Sequence, residues 1–266
     1  MRPLADCPAA TLRRLRGVFT DIDDTLTTDG RLTARAYAAL EALHEAGLLV
    51  VPITGRPAGW CDHIARMWPV DAVVGENGAF WFRYDHGERR MHRRFLQDEA
   101  TRAANRRRLD ELARRIPAAV PGAAVAADQF ARACDLAIDF REDVPPLPRA
   151  AVERIVALFE AEGAIAKVSS IHVNGWFGAY DKLSMTRLLM QEAFGVDLDA
   201  ARADYVFAGD SPNDSPMFAF FPNAVGVANV RDFADAMPAL PAWVTAAPAG
   251  DGFAELAEAV LQARAG

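Results

Sequence analysis

Two carboxylates spaced i, i+2, Asp21 and Asp23, follow directly on the apolar run Gly17-Val18-Phe19-Thr20, with Asp24 and Thr25 behind them. Loops at the carboxyl ends of strands are where open α/β sheets carry their chemistry. A strand alternates its faces, so two carboxylates serve one site only where the strand has already broken into a loop. Three aspartates in four residues repel one another without a cation, although Asp is also a common turn residue and an Asp-rich turn is the simpler account of the segment alone. The chemistry that such a pair supports is phosphoryl transfer. One carboxylate attacks, the second moves a proton, and cations neutralise the non-bridging oxygens.

Two further apolar runs end in polar clusters of the same kind. Leu48 to Ile53 leads into Thr54-Gly55-Arg56-Pro57, and Tyr205 to Ala208 leads into Gly209-Asp210-Ser211-Pro212-Asn213-Asp214. Between them Lys182 stands at the head of a helical pattern. Each of these residues has a plainer reading: Thr54 as a helix cap before a proline, Lys182 as a solvated lysine, Asp210 as a turn former. Taken in order, Asp-x-Asp-x-Thr, then Thr, then Lys, then Gly-Asp-x-x-x-Asp, the set resembles the four signature motifs of the haloacid dehalogenase-like (HAD) hydrolases.

On that resemblance Asp21 is the nucleophile, forming an aspartyl-phosphate, and Asp23 is the general acid and base. Thr54, through its hydroxyl and backbone N–H, and Lys182 hold the phosphoryl oxygens. Gly55, Arg56 and Asn213 join Thr54 and Lys182 as substrate-binding candidates. Asp21, Asp23, Asp210 and Asp214 are the metal candidates, with Asp214 in a supporting role. Carboxylate oxygens are hard donors and suit Mg²⁺, the implied cofactor.

The separation of 128 positions between Thr54 and Lys182 exceeds one strand–helix–strand crossover. Apolar or alternating segments at about Met91–Phe95, Ala123–Ala127, Leu136–Phe140, Ile165–Val168 and His172–Phe177, with helical patterns over Asp98–Ile116 and Leu147–Glu162, make an inserted α+β module. The expected architecture is therefore α/β: a Rossmann-like HAD core from residues 1–83 and 178–266, with an open-faced α/β cap over 84–177. Such a cap, with Asn77-Gly78-Ala79 and the Gly-Asp-Ser-Pro-Asn-Asp form of the last motif, resembles subfamily IIB, the Cof-type group of sucrose-phosphate and mannosyl-3-phosphoglycerate phosphatases. Asp24 departs from the glycine common there.

The reaction so implied is Mg²⁺-dependent hydrolysis of a small phosphate monoester of sugar-phosphate or phosphoglycerate type. A phosphomutase, a receiver-like signalling protein and a non-catalytic phosphoryl binder are the alternatives. In the cap, His172, Asn174 and Trp176 alternate and so share a strand face, where they are either core and edge residues or readers of sugar hydroxyls with Trp176 as a stacking surface. The arginines from Arg89 to Arg94 are candidates for a second anionic group. Those of the following helix read as a solvated face paired with acids such as Asp98 and Asp110.

Composition fits a cytoplasmic enzyme acting on a small-molecule ester. A net charge of −7 gives no general attraction to nucleic acid. No apolar run reaches the ~20 residues of a membrane span, and the N-terminal residues lack the apolar core of a signal peptide. Three scattered cysteines, Cys7, Cys61 and Cys134, form neither a disulfide framework nor a zinc site. The oligomeric state is left open.

Overall fold

A computed structural model describes all residues, Met1–Gly266. Thirteen strands and nine α-helices follow in chain order. The first part of the core holds β1 (Arg2–Pro3), α1 (Ala9–Arg13), β2 (Gly17–Thr20), α2 (Ala34–Glu45), β3 (Leu49–Pro52), α3 (Ala58–Met67), β4 (Val73–Gly75), β5 (Phe80–Asp85) and β6 (Arg90–Phe95). The insert holds α4 (Glu99–Ala119), β7 (Ala124–Val125), β8 (Leu136–Asp139), α5 (Arg149–Ala161), β9 (Ile165–Val168) and β10 (His172–Trp176). The chain closes with α6 (Lys182–Phe194), α7 (Leu198–Ala201), β11 (Tyr205–Gly209), α8 (Ser215–Phe220), β12 (Val225–Gly226), β13 (Trp243–Val244) and α9 (Ala249–Ala265).

The core sheet is parallel throughout, in the order β1-β13-β12-β11-β2-β3. Parallel strands are covered on both faces, which is why β2, β3 and β11 read as unbroken apolar runs rather than alternating ones. Alternate residues feed two different clusters. Val18, Val50 and Val206 pack with α1, α2, α3 and α9 on one side. Phe19, Val51 and Phe207 pack with α6, α7 and α8 on the other. The result is the three-layer arrangement of a doubly wound fold.

The insert has its own core. Leu109, Leu112 and Ile116 of α4 and Ile155 and Phe159 of α5 cover one face of the antiparallel sheet β7-β8-β10-β9. Gly175 sits where a Cβ would lie 2.1 Å from the Phe159 ring, so the helix rests directly on the strand backbone. The expected cap helices and strands are present, but the expected boundary at residue 84 cuts through a hairpin. β4, β5 and β6 form an antiparallel sheet joined to β3 by a parallel bridge between Ile53 and Val74. Phe80, Phe82 and Phe95 pack into the core rather than the cap. The cap therefore begins after β6, because the aromatic face of the hairpin is buried against the core.

Candidate active site

Strand register brings the motifs together. Thr20 pairs with Ala208 on one side and Pro52 on the other. The residues just beyond these, Asp21, Asp210 and Thr54, therefore emerge side by side at the carboxyl end of the sheet. The Asp21 N–H donates to Ala208 O, and the Ile53 N–H to Thr20 O, which fixes each chain at the point where it leaves its strand.

Lys182 reaches the same point from α6. Asp181 caps that helix, accepting from the Ser184 N–H at 2.8 Å, and so places Lys182 in the first turn. Gly78, at φ 106°, lets the loop after β4 touch this helix start; a Cβ there would lie 2.0 Å from Asp181 O. The Lys182 ammonium donates to Asp21 Oδ1 and to Asp214 Oδ1, both at 2.7 Å, and is 1% exposed.

Asp21, Asp210 and Asp214 bring one carboxylate oxygen each within 4.8 Å of the others, all buried. Burial, then the neighbouring aspartates, raise the Asp21 carboxyl to about 8 despite Lys182, and burial pushes Asp210 well up. Asp21 and Asp214 hold Lys182 above its ordinary value although burial opposes them. Three buried carboxylates against one ammonium leave a negative charge that a low-dielectric site relieves by taking up protons or by holding a further cation. An all-oxygen donor set of this kind fits Mg²⁺.

Each carboxylate is held in place. Asp210 accepts from Thr25 Oγ1 at 3.3 Å and from Asn229 Nδ2 at 3.2 Å. Asp214 accepts the N–H groups of Asp210 and Ser211 on its other oxygen. Asn213 is positioned by Ser211 Oγ, at 2.9 Å, and by Asn77. Asp24 has φ 55°, the left-handed region where glycine is at home and Asp is tolerated, which accounts for its place in a glycine position.

Two expectations are corrected here. Asp23 does not join the carboxylate trio; its oxygens take Arg56 Nε at 2.9 and 3.0 Å. The Thr54 N–H is likewise spent on Val74 O, and its hydroxyl accepts from the Arg56 N–H. Any phosphoryl contact from Thr54 must therefore come through the hydroxyl proton.

Arg56 does more than line the site. Its Nη2 lies 2.6 Å from Glu142 Oε1 and its Nη1 3.4 Å from Asp128 Oδ2, both on the cap. The turn carrying Glu142 is fixed by Asp139, which accepts the N–H groups of Arg141, Glu142 and Asp143 at 2.8 Å each. Burial works against the Glu142 charge, but His172, 2.9 Å away, and Arg56 outweigh it and hold the carboxyl down at about 2. Arg132 of the cap pairs with Asp128 and Asp135 and donates to Gly55 O at 2.9 Å. Glu76 answers from the core, accepting the N–H groups of Ala58, Ala133, Cys134 and Asp135.

The chamber enclosed between core and cap is lined by Asp21, Asp23, Gly55, Arg56, Ser169, His172, Asn174 and Asn213. At about 10 Å³ it has room for one water and no more. The cap is closed. His172 and Asn174 point their shared face into this chamber as expected, Asn174 also donating to Asp135 at 2.9 Å. Trp176 does not: it is buried and stacks on Tyr180 with ring centroids 5.5 Å apart, a packing residue. Arg93 pairs with Asp62 and Arg94 with Glu192, so neither serves the chamber.

A family model described as haloacid dehalogenase-like hydrolase matches residues 18–106, the stretch that carries the first two motifs and the hairpin. Over that stretch the chain is similar to this family. No curated protein sequence matches, but solved structures share the fold across core and cap. That of the Thermoplasma acidophilum protein 0175 is 19% identical, with a TM-score of 0.69 over 93% of this chain and 98% of that one. The C-terminal domain of the C. albicans trehalose-6-phosphate phosphatase gives 0.70 at 12% identity, over 100% and 99%. The Synechocystis sucrose-phosphatase, solved with sucrose and phosphate, gives 0.62 at 14%, over 93% and 98%. The shared cap agrees with the subfamily IIB resemblance. No helix is long and apolar enough to cross a membrane.

Proposed function

We propose that this HAD-family hydrolase is a phosphatase that cleaves small phosphate monoesters through an aspartyl-phosphate on Asp21, with Mg²⁺ held by Asp21, Asp210 and Asp214. The observation that carries this reading is the buried trio of carboxylates sharing one lysine at the ends of adjacent strands. A bound Mg²⁺ would neutralise the phosphoryl oxygens and the Asp21 carboxylate together. Asp21 supplies the attacking oxygen. Lys182 orients that oxygen and opposes the burial that raises its pKa, and the Thr54 hydroxyl offers a donor to the phosphoryl group. Asp23, outside the trio and tied to Arg56, is free to protonate the leaving oxygen and later to take a proton from the hydrolytic water. The closed cap keeps bulk water from the acyl-phosphate.

The location in the cytoplasm and the sugar-phosphate class remain part of this proposal, supported by the composition and by what the similar phosphatases are named for. Phosphate release from a panel of monoesters, with and without chelator and added Mg²⁺, tests it. Turnover that needs the metal supports the reading. Undiminished turnover in excess chelator, or none from any ester, overturns it.

A further inference from the structure

Closed to about 10 Å³, the chamber admits neither the phosphoryl group nor a leaving group, so an ester enters only when the cap parts from the core, and its leaving group then lies against the surfaces beside Asp23. Two spaces adjoin the chamber, and Asp23 and Arg56 line all three. The Asp23–Arg56 pair is thus the partition between the reacting atoms and the outside. An acid that protonates the leaving oxygen must stand within hydrogen-bond reach of it. The rest of the leaving group then continues into whichever space Asp23 opens onto.

One of these spaces, about 270 Å³, is lined by Asp24, Asp29 and Glu142 against Arg141 alone, apart from the shared Arg56. The other is a cleft of about 390 Å³ in the core itself, walled by Leu32, Trp60, His63, Ile64 and Trp68. That volume is ordinary for a small-molecule site, as is a mostly apolar lining with a few polar groups at one end. Trp60 is 44% exposed, a large aromatic surface left open beside the catalytic aspartate. Its ring lies under the Arg56 guanidinium at 4.5 Å, and Trp68 is held edge-on by Tyr37. The cleft offers no free cation for a second anionic group, because Arg56 is already shared among Asp23, Asp128 and Glu142, and in the smaller space Arg141 is outnumbered by its acids.

We propose that the Trp60–Trp68 cleft is the leaving-group subsite. It selects monoesters whose leaving group is uncharged and presents a flat aromatic or apolar face, against esters that carry a second carboxylate or phosphate. Selectivity then resides in the helix α3 of the core as much as in the cap. This rests on the phosphatase reading.

The test compares 2-phenylethyl phosphate with ethyl phosphate, whose leaving oxygens are chemically alike, and with 3-phosphoglycerate. The native protein should favour the phenylethyl ester over ethyl phosphate by about tenfold or more in kcat/KM, through KM, and should use the glycerate poorly. Trp60→Ala should bring the two neutral esters toward parity, while Trp60→Phe keeps most of the preference. Saturation-transfer NMR of 2-phenylethanol, expected with the native protein and lost in Trp60→Ala, reads the cleft without turnover. Ester hydrolysis with a preference unmoved by Trp60→Ala, or a preference for the glycerate, overturns the subsite and leaves the phosphatase standing. Absence of all turnover sinks the phosphatase reading, and the NMR signal then decides the cleft alone.

Discussion

Replacing Glu142 by Gln should weaken the closure of the cap in a way that pH can resolve. The native carboxylate meets Arg56 Nη2 at 2.6 Å, Arg56 Nη1 at 3.4 Å and His172 Nε2 at 2.9 Å. A carboxyl held at about 2 instead of 4.5 stabilises the folded state by roughly 3 kcal/mol at neutral pH, at about 1.4 kcal/mol per pH unit. The side chain is 27% exposed, and solvent screening reduces this to about 2 kcal/mol. Because the folded value lies below the unfolded one, the stabilisation is complete above about pH 4.5 and disappears as pH falls through about 2. Denaturant unfolding from pH 7 to pH 2 is the assay. Glu142→Gln should cost about 2 kcal/mol at pH 7, and its curve should converge on the native one toward pH 2. A pH-independent difference would refute the electrostatic account and mark Glu142 as a packing residue.

Lys182→Met leaves three buried carboxylates with no cation; it should lower stability by about 3–5 kcal/mol in the absence of metal, as for a broken buried pair, and a thermal melt should show Mg²⁺ restoring part of that. A variant as stable as the native protein without metal would contradict the shared-charge argument. Gly175→Ala drives a methyl into the Phe159 ring and should cost about 1–3 kcal/mol, read by hydrogen exchange in the cap, with the core sheet protected as before. In Asp23→Asn, aryl phosphates, which need little protonation, should still phosphorylate the enzyme and the intermediate should accumulate, while alkyl phosphates fail at the first step. Quenched-flow traces with equal loss for both esters would remove Asp23 from proton transfer.

The core was legible because buried parallel strands announce themselves as short apolar runs, and each run that mattered ended in a motif. Lys182 was readable as the head of a helix, and α6 begins there. Asp21, Asp210, Asp214 and Lys182 meet as their order suggested, since register follows from strands that begin and end together. What joins the two domains was not legible. Arg56 and Glu142 stand 86 residues apart, and no local pattern pairs a core arginine with a cap turn. Asn229, which ties Asp210 to the backbone of Asp24, lies in an unremarkable segment with no periodicity to single it out. The run Arg90–Phe95 alternates well enough to be any strand; only the burial of Phe95 against Phe80 and Phe82 assigns it to the core. Trp176 shared a strand face with His172 and Asn174, but Tyr180 folds back to cover it, a contact that spacing cannot show.

The central claim is that Asp21 carries the phosphoryl group, and rapid acid quench with isotopically labelled monoester and Mg²⁺, followed by peptide mapping, addresses it directly. The label should appear on the peptide containing Asp21, decay at the rate of phosphate release, and be absent from Asp21→Asn. Phosphate released at full rate with no label on that peptide, or by the Asp21→Asn protein, would contradict the account.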